Sequence, residues 1–142
     1  MLREASVYDI PRINELGKLL HENFSKVNNI SEMLEDKYSK VVVYEKGDKV
    51  VGFIMATDLG ETCDILDIVV DPEYRKQKIA SNLITYLISD LSEELKMITL
   101  EVSNNNEAAL KLYERFGFEI INVRKKYYSN GDDAYLMARR FM

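Results

Sequence analysis

The sequence predicts an α+β fold in which a mixed, mostly antiparallel central sheet of about six or seven strands is flanked by about four helices. Two β-rich runs lie on either side of Gly47-Asp48, a dipeptide typical of tight antiparallel hairpins. Apolar residues between Ile79 and Leu91 recur at helical spacing, and two further β-rich runs end the chain. The 142 residues are expected to form one domain, spanning 1–142.

The first forty residues predict a short strand followed by two helices. The strand covers 2–6, and Asp9 and Pro11 are a suitable N-cap and first-turn proline for a helix that runs to about His21. A second, shorter helix is indicated within the polar segment 22–40 by apolar residues at helical spacing, namely Ile30, Met33, Leu34 and Tyr38.

The middle of the chain predicts three strands, a helix and a fourth strand. The hairpin occupies 41–59, and the third strand ends at Asp71-Pro72 because proline donates no hydrogen bond to a sheet. The helix covers 79–91, and MITLEV at 97–102 is the next strand.

The last forty residues predict a helix and two closing strands. Asn104 to Asn106 supply N-caps for a helix that runs to about Phe116, and Gly117 is well placed just after its end. The closing strands cover 118–126 and 134–140.

Composition narrows the function classes. The 19 basic and 24 acidic residues give a net charge of −5, which opposes nonspecific binding to nucleic acid. No run approaches the roughly 20 apolar residues that span a bilayer, so no membrane partner is expected. The charged N-terminus lacks the apolar region of a secretory signal, which favours a cytoplasmic location. The lone Cys63 lies in a predicted strand and is expected to be structural.

A basic loop precedes the helix that begins near Ile79. In DPEYRKQKIA the basic residues lead into a helix N-terminus, whose unpaired N–H groups and positive dipole bind anionic phosphate. Taken alone, the tetrapeptide RKQK favours an ordinary solvated loop, and it is the flanking sequence that favours a phosphate-binding loop.

The longer segment LDIVVDPEYRKQKIASNLI resembles the acyl-CoA motif of the GNAT acetyltransferases, Arg/Gln-x-x-Gly-x-Gly/Ala, in which Arg75 and Ala80 match. SNNNEAALKLYERFGF resembles the second characteristic segment of that family, and NVRKKYYSNGDDAYLMA resembles its ribosomal-protein-alanine N-acetyltransferase branch. The resemblance implies acetyl-CoA as cosubstrate and places its binding at Ile68, Val69, Val70, Arg75, Lys76, Gln77, Lys78, Ile79, Ala80, Ser81 and Asn106.

Lys78 departs from the motif, because it stands where the family has its first glycine. We expect the lysine to adopt helical backbone angles there. Its ammonium would add positive charge beside the phosphates, whereas its Cβ would crowd the approach of the backbone amides.

Two residues are candidates for acid–base chemistry. Strand alternation places Glu101 on the face opposite to the apolar side chains of Ile98, Leu100 and Val102. The same position would also suit an ordinary solvated glutamate at the end of a strand. Tyr113 falls on the apolar stripe of its helix, so a core role is the alternative. The resemblance implies that Glu101 is the general base, acting through water, and that Tyr113 protonates the departing thiolate.

The acceptor is predicted less closely than the cofactor. The resemblance implies a protein N-terminal α-amine, for example of a basic ribosomal protein, near Tyr127 and Tyr128, although these residues also fit a solvated hairpin. The alternative acceptor is a small amine, namely a polyamine, an amino-sugar or a metabolite amine. The second alternative is that the protein is a non-catalytic module that binds CoA or another protein. His21 is expected to be structural, no metal is expected, and the oligomeric state is left open.

Overall fold

The structure is a computed structural model that describes residues 1–141. Five α-helices are present in this part: α1 (Ile10–Gly17), α2 (Phe24–Val27), α3 (Ile30–Glu35), α4 (Ile79–Ser89) and α5 (Glu107–Arg115). The strands are β1 (Leu2–Glu4), β2 (Ser39–Lys46), β3 (Lys49–Asp58), β4 (Thr62–Val70), β5 (Met97–Ser103), β6 (Glu119–Arg124) and β7 (Ala134–Arg140). None of the helices described in 1–141 is long and apolar enough to cross a membrane.

The strands form one seven-stranded sheet in the order β1-β2-β3-β4-β5-β7-β6. The pairs β1·β2, β2·β3, β5·β7 and β6·β7 are antiparallel, whereas β4 and β5 are parallel and are connected in sequence by α4. Parallel neighbours need such a crossover, because a two-residue turn joins only antiparallel strands. The predicted α+β fold with a mixed, mostly antiparallel sheet is therefore confirmed.

The chain groups into two compact units, the first of which comprises Met1–Asp58 and Asp67–Leu91. Its core lies between the helices and the hairpin of β2 and β3. Gly52 of β3 admits α4 closely, because a Cβ there would lie 3.1 Å from Ile79 Cγ2 and 3.4 Å from Leu83 Cδ1. One cluster of buried core residues consists of Ile13, Leu16, Phe24, Ile30, Val41, Val43, Val50, Phe53, Met55 and Val69.

The second unit comprises Leu59–Leu66 and the chain from Ser92 onward. Leu100 of β5 pairs with Ile65 of β4 and with Met137 of β7, and all three side chains are buried. Cys63 is also buried within β4, as its structural assignment predicts. Because successive side chains alternate in a strand, the neighbouring Glu101 lies on the other face of β5, where it is exposed.

The structure corrects the predicted extent of the first helix, which ends at Gly17 and not near His21. A Cβ on Gly17 would lie within 2.5 Å of three ring atoms of Phe24, so this glycine lets α2 pack directly against the end of α1. The chain therefore turns after Gly17 so that Phe24 can be buried. The second predicted helix is α3, which includes Met33 but ends before Tyr38.

Candidate active site

The loop between β4 and α4 is fastened at its base by Asp71. This carboxylate accepts a hydrogen bond from the Glu73 backbone N–H at 3.0 Å and from Arg12 Nη2 at 2.7 Å, and Lys49 Nζ lies 3.9 Å away. The Glu73 N–H and then Arg12 hold the pKa of the Asp71 carboxyl below its usual value. The charged carboxylate thereby caps the 3-10 turn Pro72–Tyr74 and ties it to α1.

Two lysines of this loop adopt left-handed backbone conformations, with φ of 65° at Lys76 and 62° at Lys78. The expectation of helical angles at Lys78 was therefore wrong. Lys78 is the N-cap of α4, where the chain turns from the 3-10 turn into the helix, so its backbone has the geometry that glycine adopts without strain. Left-handed residues that alternate with ordinary ones form concave sets of backbone N–H groups that bind anions.

The N-terminus of α4 offers donors to an anion at the same place. Its first N–H groups have no partner within the helix, and the Lys78 side chain does not cap them. The side chains from Arg75 to Lys78 are exposed, so the positive charges of Arg75, Lys76 and Lys78 face solvent. Among the other predicted cofactor residues, the side chains of Val69 and Ile79 are buried, and those of Ile68, Val70, Ala80 and Ser81 are half-buried.

A lysine from the hairpin joins the predicted loop. Lys46 Nζ donates to Gln77 Oε1 and lies 5.9 Å from the centroid of the Tyr74 ring. Lys46 lies next to the predicted turn at Gly47, so sequence alone gives no sign that it adds a positive charge to the loop. The contact shows that Gln77 is held by the protein and does not simply extend into solvent.

In the second unit, Glu101 belongs to a connected series of side chains. Arg124 Nη1 lies 3.7 Å from Glu101 Oε1, and the Arg124 guanidinium lies 5.3 Å from the centroid of the Tyr127 ring. Tyr127 packs edge-on against Tyr128, with ring centroids 5.2 Å apart. The structure thus brings the predicted base together with both predicted acceptor residues. Arg124 was not predicted, because its position beside Glu101 depends on the pairing of β6 and β7.

Asn106 and Tyr113 are the other predicted residues of this unit. Asn106 is the N-cap of α5, and its Oδ1 accepts a hydrogen bond from the Ala109 N–H at 3.2 Å. Tyr113 is half-buried, and its ring centroid lies 5.9 Å from that of Phe118. Capping therefore accounts for the side-chain oxygen of Asn106, and contact with the cofactor arm stays a prediction.

The segment before α5 is tied to the loop between β6 and β7 by Asp132. Its carboxylate accepts hydrogen bonds from Ser103 Oγ at 2.8 Å, from Asn105 Nδ2 at 2.5 Å and from Asn130 Nδ2 at 3.1 Å. These donors, first of all Ser103, hold the pKa of the Asp132 carboxyl below its usual value. The backbones of Asn104 and Asp133 add a further hydrogen bond at 3.0 Å.

A carboxyl group that was not predicted lies on β4. Asp67 is half-buried, and burial raises its pKa to about 6, while the nearby His21 acts in the opposite direction. His21 itself is exposed, and its ring centroid lies 6.0 Å from that of Phe24. The only signal in the sequence is that Asp67 interrupts the apolar run LDIVV.

The sequence is similar to those of several known proteins. Residues 5–118 match the model of the Acetyltransferase (GNAT) family. The chain is 31% identical over 153 residues to the N-alpha-acetyltransferase of Saccharolobus solfataricus, covering 97% of this chain and 91% of that protein. It is also 31% identical over 107 residues to the ribosomal protein bS18-alanine N-acetyltransferase of Escherichia coli K12, covering 72% of each chain.

A solved structure extends the comparison to the fold. The chain superposes on Ard1 from Thermoplasma volcanium with a TM-score of 0.87 and 26% sequence identity, over 100% of this chain and 97% of that one. The order of helices and strands therefore corresponds along the entire chain.

Proposed function

Because the chain belongs to the acetyltransferase (GNAT) family and is an acetyl-CoA-dependent N-acetyltransferase, we propose that its acceptor is the N-terminal α-amine of a protein. The observation that carries the proposal is full-length similarity to an N-alpha-acetyltransferase, together with the series Glu101, Arg124, Tyr127 and Tyr128. Similarity to a ribosomal protein bS18-alanine N-acetyltransferase supports a ribosomal protein as the specific acceptor.

The loop before α4 binds the phosphates of acetyl-CoA in this proposal. The exposed basic side chains supply charge, and the N–H groups at the start of α4 supply hydrogen bonds. The strand backbone at Ile68 to Val70 binds the pantetheine arm, and Asn106 contributes a side-chain hydrogen bond. The residues assigned to the cosubstrate are Ile68, Val69, Val70, Arg75, Lys76, Gln77, Lys78, Ile79, Ala80, Ser81 and Asn106.

The proposed reaction is a direct attack of the amine on the thioester. The amine nitrogen forms a bond to the carbonyl carbon, the carbon–sulfur bond breaks, and the products are an N-acetylated acceptor and CoA. Glu101 accepts the proton that the nitrogen loses, through a water molecule, and Tyr113 donates a proton to the thiolate. An α-amine suits this reaction, because its reference pKa of about 7.7–8.0 leaves a useful neutral fraction at physiological pH.

Arg124 has a positioning role in this scheme. Its guanidinium lies beside Glu101 and over the ring of Tyr127, so it orients the base relative to the proposed acceptor side. Tyr127 and Tyr128 provide aromatic surface for the first residues of a peptide.

A panel of acceptors tests the proposal. The purified protein is incubated with acetyl-CoA and hexapeptides that carry an unmodified α-amine, or with polyamines and amino-sugars, and the products are identified by mass spectrometry. We expect acetylation of the peptides at the α-nitrogen. Acetylation of small amines without any peptide product would replace the proposed acceptor by the small-molecule alternative.

Two substitutions test the proposed catalysts. Glu101→Gln should lower kcat by about 100-fold or more, the usual loss on removing a general base, with the affinity for acetyl-CoA unchanged. Tyr113→Phe should slow thiolate release while leaving cosubstrate binding intact. Glu119→Gln and Tyr8→Phe, both at exposed positions, are the matched controls. If turnover is unchanged in either test variant, the substituted residue is not a catalyst and has a structural role instead.

The same measurements address the remaining alternatives. A module without catalysis would bind CoA but give no product with any amine. We further propose that residues 1–142 act as one N-acetyltransferase domain and that the protein works in the cytoplasm. Turnover by the intact chain without added partners would support the first of these two points.

A further inference from the structure

Strand β6 forms an exposed edge of the sheet. It is the last strand in the sheet order, and β7 is its one neighbouring strand within residues 1–141. All six residues of β6 are exposed, including the apolar Ile120, Ile121 and Val123, whose exposed fractions are 47%, 40% and 39%. The strand at the opposite end of the order, β1, has only three residues, which limits pairing. A longer apolar edge such as β6 is a surface to which a further strand can add.

A β-bulge divides β6 into two halves. The register with β7 shifts between Ile120 and Asn122, so Ile121 is an extra residue. Side chains alternate along a strand, and one extra residue reverses the alternation beyond it. Residues on either side of the bulge that are an odd number apart therefore share a face, and their partners in β7 are an even number apart, as this requires. The two pairs that share a face are Glu119 with Arg124, and Ile120 with Val123.

The backbone groups of two residues in β6 point away from β7. The Val123 N–H donates to Asn122 Oδ1 at 2.9 Å, so it is turned towards the free edge and is satisfied there by a neighbouring side chain. Backbone groups of successive residues point alternately to the two sides of an antiparallel strand. With the bulge counted as one step, Ile120 has the same orientation as Val123. Each of these two residues can exchange a pair of hydrogen bonds with a further strand.

We propose that β6 pairs with β6 of a second copy of this chain, antiparallel and about a two-fold axis that passes through the bulge. In this register Ile120 of one copy lies opposite Val123 of the other, and Glu119 lies opposite Arg124. The first contact joins apolar side chains and edge backbone groups, and the second joins opposite charges. The strand is thus complementary to itself, as a two-fold interface requires. Because 49% of the Arg124 side chain is exposed, it can contact the second copy while it stays beside Glu101.

The bulge has an alternative explanation that makes the opposite prediction. Bulges at sheet edges also prevent pairing, because they twist the edge strand away from another chain. A protective bulge predicts a monomer at every concentration, and it does not require opposite charges at the two ends of β6. A strand of a different protein would not require a two-fold match either. The match of both the charged and the apolar pair therefore favours a second copy.

Sedimentation velocity between about 1 and about 500 µM tests the proposal. A single strand pair is a small interface, below the about 1,200 Å² of stable complexes, so we expect a weak dimer that forms as concentration rises. Glu119→Arg should raise the dimer dissociation constant about ten-fold or more, since like charges then face each other twice. The double substitution Glu119→Arg/Arg124→Glu should restore the dimer, because the charges are exchanged. Glu114→Arg, at an exposed position of α5, is the control with the same change of charge.

A second pair of variants tests the apolar contact. Ile120→Lys places a lysine on the edge and should abolish the dimer, whereas Leu59→Lys, at an exposed apolar position between β3 and β4, should not. Circular dichroism and urea unfolding of each variant distinguish loss of the dimer from loss of the fold. A wild type that stays monomeric at the highest concentration overturns the proposal. A dimer that survives Glu119→Arg, or a folded double variant that stays monomeric, overturns the two-fold pairing of β6.

This inference does not depend on the proposed function. The proposed acetyl transfer uses groups of one chain, and a weak dimer dissociates at the submicromolar protein concentrations of an enzyme assay. Glu119→Gln therefore remains a neutral control for turnover. Peptide acetylation can fail while the dimer is found, and the dimer can fail while peptides are acetylated, so the two results are separable.

Discussion

Lys78 stores backbone strain at the point where the loop that we assign to acetyl-CoA enters α4. An L-residue in the left-handed region is disfavoured by about 1–2 kcal/mol relative to the helical region, and glycine avoids that cost. The loop nevertheless keeps the geometry that the family's glycine would give it. The lysine therefore retains the backbone shape of the motif and adds a charge.

Replacing Lys78 by glycine should stabilise the protein. Removal of the left-handed strain outweighs the extra freedom that glycine gives the unfolded chain, about 0.4–1 kcal/mol, so the free energy of unfolding should rise by about 0.5–1 kcal/mol. Urea unfolding of Lys78→Gly and the wild type measures this change in the free energy of unfolding. Lys111→Gly, at an exposed interior position of α5, is the control and should lose about 1 kcal/mol. A loss of stability in both variants would contradict the strain at Lys78.

The pH dependence of stability reports on Asp67. Its pKa is about 6 in the folded protein and 3.8 in the absence of burial, so between these values the folded state holds more protons than the unfolded state. The free energy of unfolding that Asp67 contributes therefore falls as pH rises from about 4 to 6, by at most about 3 kcal/mol. Above pH 6 this contribution no longer changes with pH. The difference between Asp67→Asn and wild type should grow across that range in urea titrations. A constant difference would contradict the raised pKa. His21→Asn serves as a background that removes the neighbouring imidazole.

Individual residues were predictable from sequence where one position was enough to define the chemistry. Glu101 stands out because strand alternation separates it from the apolar face, and Asn106 stands out because it precedes a helix. Asp67 and Arg124 were missed for a common reason. Burial of Asp67 and the contact of Arg124 with Glu101 depend on how distant segments pack, which periodicity does not contain.

At the scale of elements, the junction of α1 and α2 depends on close packing. Gly17 ends α1 directly against the buried ring of Phe24, which in turn lies 5.9 Å from Phe53 of β3. Helix propensity alone favours alanine over glycine by about 1 kcal/mol at such a position. Steric contact reverses this preference, because the Phe24 ring has no open space into which to move.

Gly17→Ala should destabilise the protein by about 1–3 kcal/mol, since the added methyl group overlaps the Phe24 ring. Thermal and urea unfolding give the value. In a Phe24→Leu background the same substitution should cost less, because the smaller side chain leaves room for the methyl group. Equal costs in the two backgrounds would show that the ring is not the cause.

Strong periodicity and turn residues predicted most elements well. The hairpin turns at Gly47, β7 covers the predicted 134–140, and α4 begins at the predicted Ile79. The segment from Lys18 to Val27 was predicted poorly, because its course follows the burial of Phe24 and not a continued helical repeat, whereas α3 begins at the predicted Ile30. The left-handed conformation of Lys78 was missed as well, since a lysine carries no signal for positive φ.

For the whole molecule, a net charge of −5 coexists with a basic loop that is assigned to an anionic cosubstrate. The basic loop attracts the anionic cosubstrate at short range, whereas the net negative charge of the rest of the surface repels it. Salt screens both interactions over about 10 Å at 0.1 M. The nearby Lys46 adds to the local positive charge through its contact with Gln77.

CoA should therefore bind more weakly as salt rises, by several-fold between 50 and 500 mM KCl, because the short-range contacts dominate. Calorimetry at each salt concentration gives the dissociation constants. Arg75→Gln should flatten the dependence, whereas Lys111→Gln on α5 should leave it unchanged. Tighter binding at high salt would mean that the overall negative charge controls the encounter.

Asp132 has a consequence for how this part of the molecule opens. Its carboxylate and the Asn104–Asp133 hydrogen bond connect the turn before α5 with the loop between β6 and β7. Neither segment can leave its place without breaking the same bonds. Amide protons from 104–106 and from 130–133 should therefore exchange with deuterium as one cooperative group, with a shared opening free energy. Opening of the loop between β6 and β7 and loosening of the start of α5 would then be a single event.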